Sequence, residues 1–240
     1  MHYPLQRLLC RGPFLQSWER SEGKMGQPDI VEKYLESYPD VFADIVNVLI
    51  FKGEQRIHPE QLSDAEPGGM YKCDGKLHEN RRDVAKFVCS NKDGEVDVHI
   101  ALIGIENQTN VFYLMPVRCF EYDAANYRKQ LTATKDLGKK ASDKVIPIVT
   151  LVLYFGKSPW TGPTTLKQCL DKKKYPKEFE PYLNDYKIHV FDIPRLSEKQ
   201  VDMFQSDFRI AADYFRKRIM GRTNFIFFRA ENPFRRSRWG

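Results

Sequence analysis

The chain has 240 residues, 42% hydrophobic and 13% aromatic, enough for one substantial core and, by default, one domain. It contains no apolar run of about 18 residues, and its start, Met1-His2-Tyr3-Pro4-Leu5-Gln6-Arg7, lacks an apolar stretch of signal-peptide length. No membrane-spanning helix is therefore expected, and the protein is expected to be cytoplasmic. The formal charge of +6 sits at the ends: residues 1–24 carry +2, residues 216–240 carry +7, and subtracting both leaves −3 on residues 25–215. That distribution does not indicate a globally basic nucleic-acid-binding surface but leaves room for a local basic patch or arm.

Residues 1–24 show no helical or strand period, and Met25-Gly26-Gln27-Pro28 opens a helical pattern. An unstructured extension upstream of a natural start at Met25 is expected, followed by a single domain over 25–220 and a basic aromatic tail over 221–240. Ile30, Tyr34 and Leu35 outline a short amphipathic helix. Pro39, suited to a first turn, starts a second one with Val41, Phe42, Ile45, Val48 and Leu49 on its buried face. Residues 52–70 are polar and turn-rich, with a short strand expected around 70–77. Two strand-like runs, 82–89 and 96–105, flank the turn signal Asn91-Lys92-Asp93-Gly94 and predict a hairpin.

A helix is expected from Met115-Pro116 to Thr134, then a charged loop. Val145 to Phe155 is too apolar and β-branched for anything but a buried strand. A loop with Trp160, a short helix over 164–170 and a strand over 188–193 follow. Ser197-Glu198-Lys199-Gln200 is a capping box, and it predicts one helix running through Phe204, Phe208, Ala212, Phe215 and Ile219 to a stop at Gly221. This order predicts an α/β three-layer arrangement around a mixed sheet. The five cysteines are odd in number, scattered and without a CxxC, which fits reduced thiols. Cys73, His78, Cys89 and His99 match no common zinc spacing.

Asp83, Glu106 and Gln108 are the candidate site. With Asp93-Gly94 as a two-residue loop, opposed residues sum to 187, so Asp83 faces Gly104. Glu106 and Gln108 then fall on the same face, with the two carboxylates about 7–8 Å apart as diagonal neighbours. A three-residue loop would move Glu106 to the other face. On spacing alone, the simpler reading is that both acids are strand ends, solvated or bridged to Arg81 and Arg82.

Several stretches in one order carry a resemblance. They are Arg82-Asp83-Val84, Ile103 to Thr109, Met115-Pro116-Val117-Arg118 with Tyr122, and Thr150 to Gly156 before Trp160. Asn184-Asp185-Tyr186 and Phe204 to Arg209 complete the set. Over about 29–220 the chain resembles the PD-(D/E)XK nuclease family transposases, the group that includes recombination-promoting nucleases and YhgA-like transposases. The resemblance implies a PD-(D/E)XK nuclease-like core and a Mg²⁺-dependent DNA endonuclease linked to transposition or recombination, with Mn²⁺ as a substitute metal. Asp83 and Glu106 would be metal ligands, and the Asn107 backbone carbonyl could also reach the metal. Gln108 stands where the family has Lys, and Arg82 where it has Pro. Gln can orient a water but supplies no charge.

An upstream acid on the first helix would be Asp44, with Asp40 as an alternative and a solvated helix face as the simpler reading. Arg118 could hold a DNA phosphate, or pair with Glu121 or Asp83. Tyr122, Tyr154 and Trp160 read as packing residues. Arg229, Arg235, Arg236 and Arg238 could grip a phosphate backbone, a disordered tail being the simpler reading. The alternative function is a catalytically inactive relative acting as a DNA-binding or interaction module. A plain α/β protein with a structural acidic pair is the third.

Overall fold

A computed structural model describes residues 35–65, 68–73, 76–81, 83–90, 98–136 and 144–221, with the side chains of 68–81 and 133–136 outside that description. The extension 1–24, residues 222–240 of the tail and the arginines in it lie outside the described residues. Its elements are α1 (Pro39–Leu49), β1 (Leu62–Asp64), β2 (Gly68–Cys73), β3 (Lys76–Arg81), β4 (Val84–Ser90) and β5 (Val98–Gln108). They continue with α2 (Met115–Asp136), β6 (Ile148–Tyr154), β7 (His189–Asp192), α3 (Glu198–Met203) and α4 (Phe208–Ile219).

The protein is a mixed α/β fold around a five-stranded sheet ordered β1-β4-β5-β6-β7, as expected from the element order. The β1–β4 and β4–β5 pairs are antiparallel, and the β5–β6 and β6–β7 pairs are parallel. The carboxyl ends of β5, β6 and β7 therefore share one edge. The parallel β5–β6 pair requires a crossover, which α2 supplies.

The main core lies on one face of the sheet. Ile103 and Ile105 of β5 and Leu151 and Leu153 of β6 meet Phe42 and Ile45 of α1 and Phe208 and Phe215 of α4. Val41, Phe42 and Ile45 are fully buried, as the helical period predicts, and each contributes about 1.5–3 kcal/mol of burial. α1 ends into Lys52 and Gly53, both at positive φ, where the Gly53 N–H reaches the Asn47 carbonyl at 2.9 Å. On the opposite face α2 lays Met115 and Cys119 against Val152 and Ile188.

Three elements differ from expectation. The turn-rich stretch before β4 contains β1, a three-residue edge strand pairing Leu62 with Val88. The single strand expected around 70–77 is a hairpin, β2–β3, forming its own two-stranded sheet. The helix expected from Ser197 to Ile219 is broken: α3 ends at Met203, Phe204 is extended at ψ 130°, and α4 starts at Phe208. The cause lies outside the segment. The Asp44 carboxylate accepts the N–H groups of Gln205 (2.8 Å) and Ser206 (2.7 Å), giving them a partner that a continuous helix would otherwise supply. The capping box itself forms as read, with Ser197 N–H to Gln200 Oε1 at 3.0 Å and Gln200 N–H to Ser197 Oγ at 3.3 Å. Gly221, at φ +66°, follows the helix end.

Candidate active site

The β4–β5 register decides where the two acids meet. Val84 pairs with Ile105 and Ala85 with Gly104, so opposed residues sum to 189, and a bulge between Val88 and Cys89 alters the count toward the turn. The expected sum of 187 is therefore two residues off. Gly104 faces Ala85; β4 begins at Val84, and extending its register by one residue sets Asp83 opposite Glu106. Both sums are odd, so the shared face survives the shift.

Asp83, Glu106, Asn107, Gln108 and Arg118, together with Thr109 and Asn110, line a polar cleft of about 240 Å³. Asp83 Oδ2 accepts the Asn107 backbone N–H at 2.7 Å, which locks the start of β4 to the end of β5. Glu106 is 0% exposed. Its Oε1 meets Arg118 Nη2 at 2.6 Å and accepts Gln108 Nε2 at 3.1 Å. The same Gln108 amide donates to the Asn107 carbonyl at 2.7 Å. Arg118 Nε donates to the Tyr122 hydroxyl at 2.9 Å, one helical turn on.

A buried carboxylate without a cation costs several kcal/mol, so Arg118 is what makes Glu106 tolerable at this depth. Burial alone would lower the Arg118 pKa, but the Glu106 charge, the Tyr122 hydrogen bond and Asp83 together raise it. Burial first, and then the Glu106 charge, push the Tyr122 hydroxyl up to about 12. Arg118 thus pairs with Glu106 rather than with either expected partner, Glu121 or Asp83. Tyr122 is buried as expected and is also the hydrogen-bond partner of Arg118. Tyr154 and Trp160 pack edge to face at 5.1 Å between ring centres, in keeping with a packing role.

The upstream acid needs correction. Asp44 is 5% exposed, so it is not on a solvated face, and neither it nor Asp40 lines the cleft. Its Oδ2 holds the α3–α4 turn. The acid that does reach the strand is Glu36, 0% exposed, whose Oε2 accepts Asn107 Nδ2 at 2.8 Å. Asn107 is thus tied through its N–H to Asp83, through its carbonyl to Gln108 and through its side chain to Glu36. Sequence reasoning missed Glu36 because an acid in Tyr34-Leu35-Glu36 has the spacing of an ordinary solvated helix residue.

Among the described residues no three His, Cys, Asp or Glu side chains converge to hold a metal. The donors that do converge are two carboxylates and one carbonyl. These hard oxygens suit Mg²⁺ completed by waters. Each carboxylate oxygen accepts more than one bond, but a metal at Glu106 Oε1 would compete with the Arg118 guanidinium for the same atom. The set fits a divalent ion on the condition that Arg118 yields, and with it the Gln108 amide, which donates to both Glu106 Oε1 and the Asn107 carbonyl.

A mixed sheet carrying two acids and a cation at one strand edge fits an α/β nuclease-like core. Residues 74–230 match the family described as "Putative transposase, YhgA-like", and the chain belongs to that family. Membership in a transposase family points to a function connected with transposition and to DNA as the partner. No curated protein and no solved structure gives a significant match to the chain. No helix among the described residues is long and apolar enough to cross a membrane.

Proposed function

We propose that the protein is a metal-dependent DNA endonuclease that hydrolyses phosphodiester bonds in a transposition- or recombination-linked process. The observation that carries this reading is the convergence of Asp83 and Glu106 with Arg118 in one cleft, in a chain that belongs to a transposase family. Asp83 and Glu106 would hold Mg²⁺, or Mn²⁺ in its place, with the Asn107 carbonyl as a third donor. The metal would acidify a bound water and stabilise charge at phosphorus. Gln108 orients the attacking water through its amide. Arg118, released from Glu106, offers its planar fork to a phosphate oxygen.

The experiment is Mg²⁺-dependent nicking of supercoiled plasmid. The wild type nicks, Glu106→Ala does not, and Gln108→Lys keeps or raises the rate by restoring a cation. Background nicking that neither substitution changes would remove the reading. A second reading is favoured by the Arg118–Glu106 pair and by the missing lysine at 108. In it the arginine permanently fills the cation position, and the protein is an inactive relative that binds DNA or a partner. Mn²⁺ titration separates the two, because that reading requires no binding at Glu106.

A further inference from the structure

The described residues concentrate exposed apolar side chains beside the cleft. Phe112, Tyr113 and Leu114 are 41%, 63% and 50% exposed, and Val117 and Phe120 extend the stripe along α2 at 39% and 47%. Met115 and Cys119 of the same turns are fully buried, so the helix splits its apolar residues between sheet and solvent. The stripe begins two residues after Asn110 of the cleft and runs past Arg118.

The segment 157–187 borders this stripe. Cys169 Sγ approaches the Tyr113 carbonyl at 3.5 Å, and the Phe120 ring meets Tyr186 edge-on at 5.4 Å. Gly162 lies so close to Val111 that a Cβ there would stand 2.7 Å from its Cγ1. The bordering segment carries seven lysines against Asp171, Glu178, Glu180 and Asp185, within a body whose net charge over 25–215 is −3. Lys172, Lys173 and Lys177 are exposed and form no ion pair among the described residues. Phe179 and Tyr182 follow them at 54% and 84% exposure.

Exposed rings bordered by a lysine-rich segment suit one ligand chemistry: rings stack on unpaired bases while ammonium groups meet phosphates. A second copy is disfavoured, because a two-fold contact would bring like-charged lysine runs together. We propose that this surface is a platform for single-stranded DNA. It would hold an unpaired stretch beside the phosphate presented to the cleft. The inference rests on the nuclease reading for the position of that phosphate, but the binding itself needs neither metal nor cleavage.

The test is fluorescence anisotropy of a labelled oligothymidylate with the full chain in metal-free buffer, alongside a duplex of the same length. Tyr113→Ser is expected to weaken single-strand binding about tenfold. Lys172→Ser with Lys173→Ser should flatten its salt dependence. Both positions are exposed, and circular dichroism would confirm that the variants fold. Unchanged single-strand affinity in both variants overturns the proposal. So does a wild-type dimer in sedimentation that Tyr113→Ser converts to monomer, which would make the surface a contact between copies. Because the assay contains no metal, loss of plasmid nicking bears on the nuclease reading and leaves this outcome legible.

Discussion

The two faces of the sheet are made by the same strands and do opposite work. Toward α1 and α4, β5 presents Ile103 and Ile105, and β6 presents Leu151 and Leu153, all nearly or fully buried among aromatic and aliphatic side chains. Toward α2, the alternate residues of β5 are Leu102, Gly104, Glu106 and Gln108, and Thr150 of β6 donates to Asp123 of α2 at 2.7 Å. Buried polar side chains on the apolar face are each anchored through at least one atom. Examples are Asn107 with Glu36, Asp44 with two backbone N–H groups, and Lys86 Nζ with Asp64 Oδ1 at 2.5 Å. One face binds the layers together, and the stability it supplies lets the other face keep a buried carboxylate beside a solvent-reachable arginine.

Breaking each face in turn should give different losses. The largest is expected from Glu106→Ala, which should cut Mg²⁺-dependent nicking by at least about a thousandfold, or about 4 kcal/mol of transition-state stabilisation. Its urea midpoint should move less than that of a core variant. If Glu106→Ala instead destabilises the protein as much as a core truncation, the acid is structural.

Phe42→Ala probes the other face. Phe42 is fully buried, and its loss should cost about 3–5 kcal/mol in urea unfolding. The protein that remains folded at low temperature should nick at the wild-type rate. A selective loss of chemistry would show that the apolar face also positions the cleft.

Arg118→Met strips the cation from a carboxylate that is 0% exposed. Stability without metal should fall by about 3 kcal/mol. Mn²⁺, followed by differential scanning calorimetry, should restore it and should bind more tightly than to the wild type. A variant that Mn²⁺ does not stabilise would mean that Glu106 holds no metal.

The smallest effect is confined to alkaline pH. The Tyr122 hydroxyl is raised from 10.0 to about 12 in the folded state. The unfolded chain therefore releases that proton first, and stability falls as pH rises through this window. The loss is up to about 3 kcal/mol at ~1.4 kcal/mol per pH unit. Tyr122→Phe should show a shallower decline between pH 10 and 12 in chemical-denaturation series. A parallel decline in both proteins would assign the alkaline loss to other groups.

Much of this architecture is local and could be read from the chain. The buried face of α1, the apolar run of β6, the Ser197 capping box and the Gly221 stop each depend on residues within a few positions of one another. The parity that puts Asp83 and Glu106 on one face is not local: Cys89–His99 and Ser90–Val98, nearest the turn, sum to 188, and the bulge between Val88 and Cys89 restores the odd sum of 189 that the shared face needs. What only the tertiary structure decided is the choice among distant partners. Asp44 interrupts a helix 161 residues away by taking its N–H groups. Glu36 reaches Asn107 across 71 residues. Arg118 takes Glu106 rather than Glu121, three residues along its own helix, because α2 packs its first turns over the carboxyl end of β5. Propensity and periodicity act along the chain, whereas a buried charge is satisfied by whatever the packed layers bring within about 4 Å.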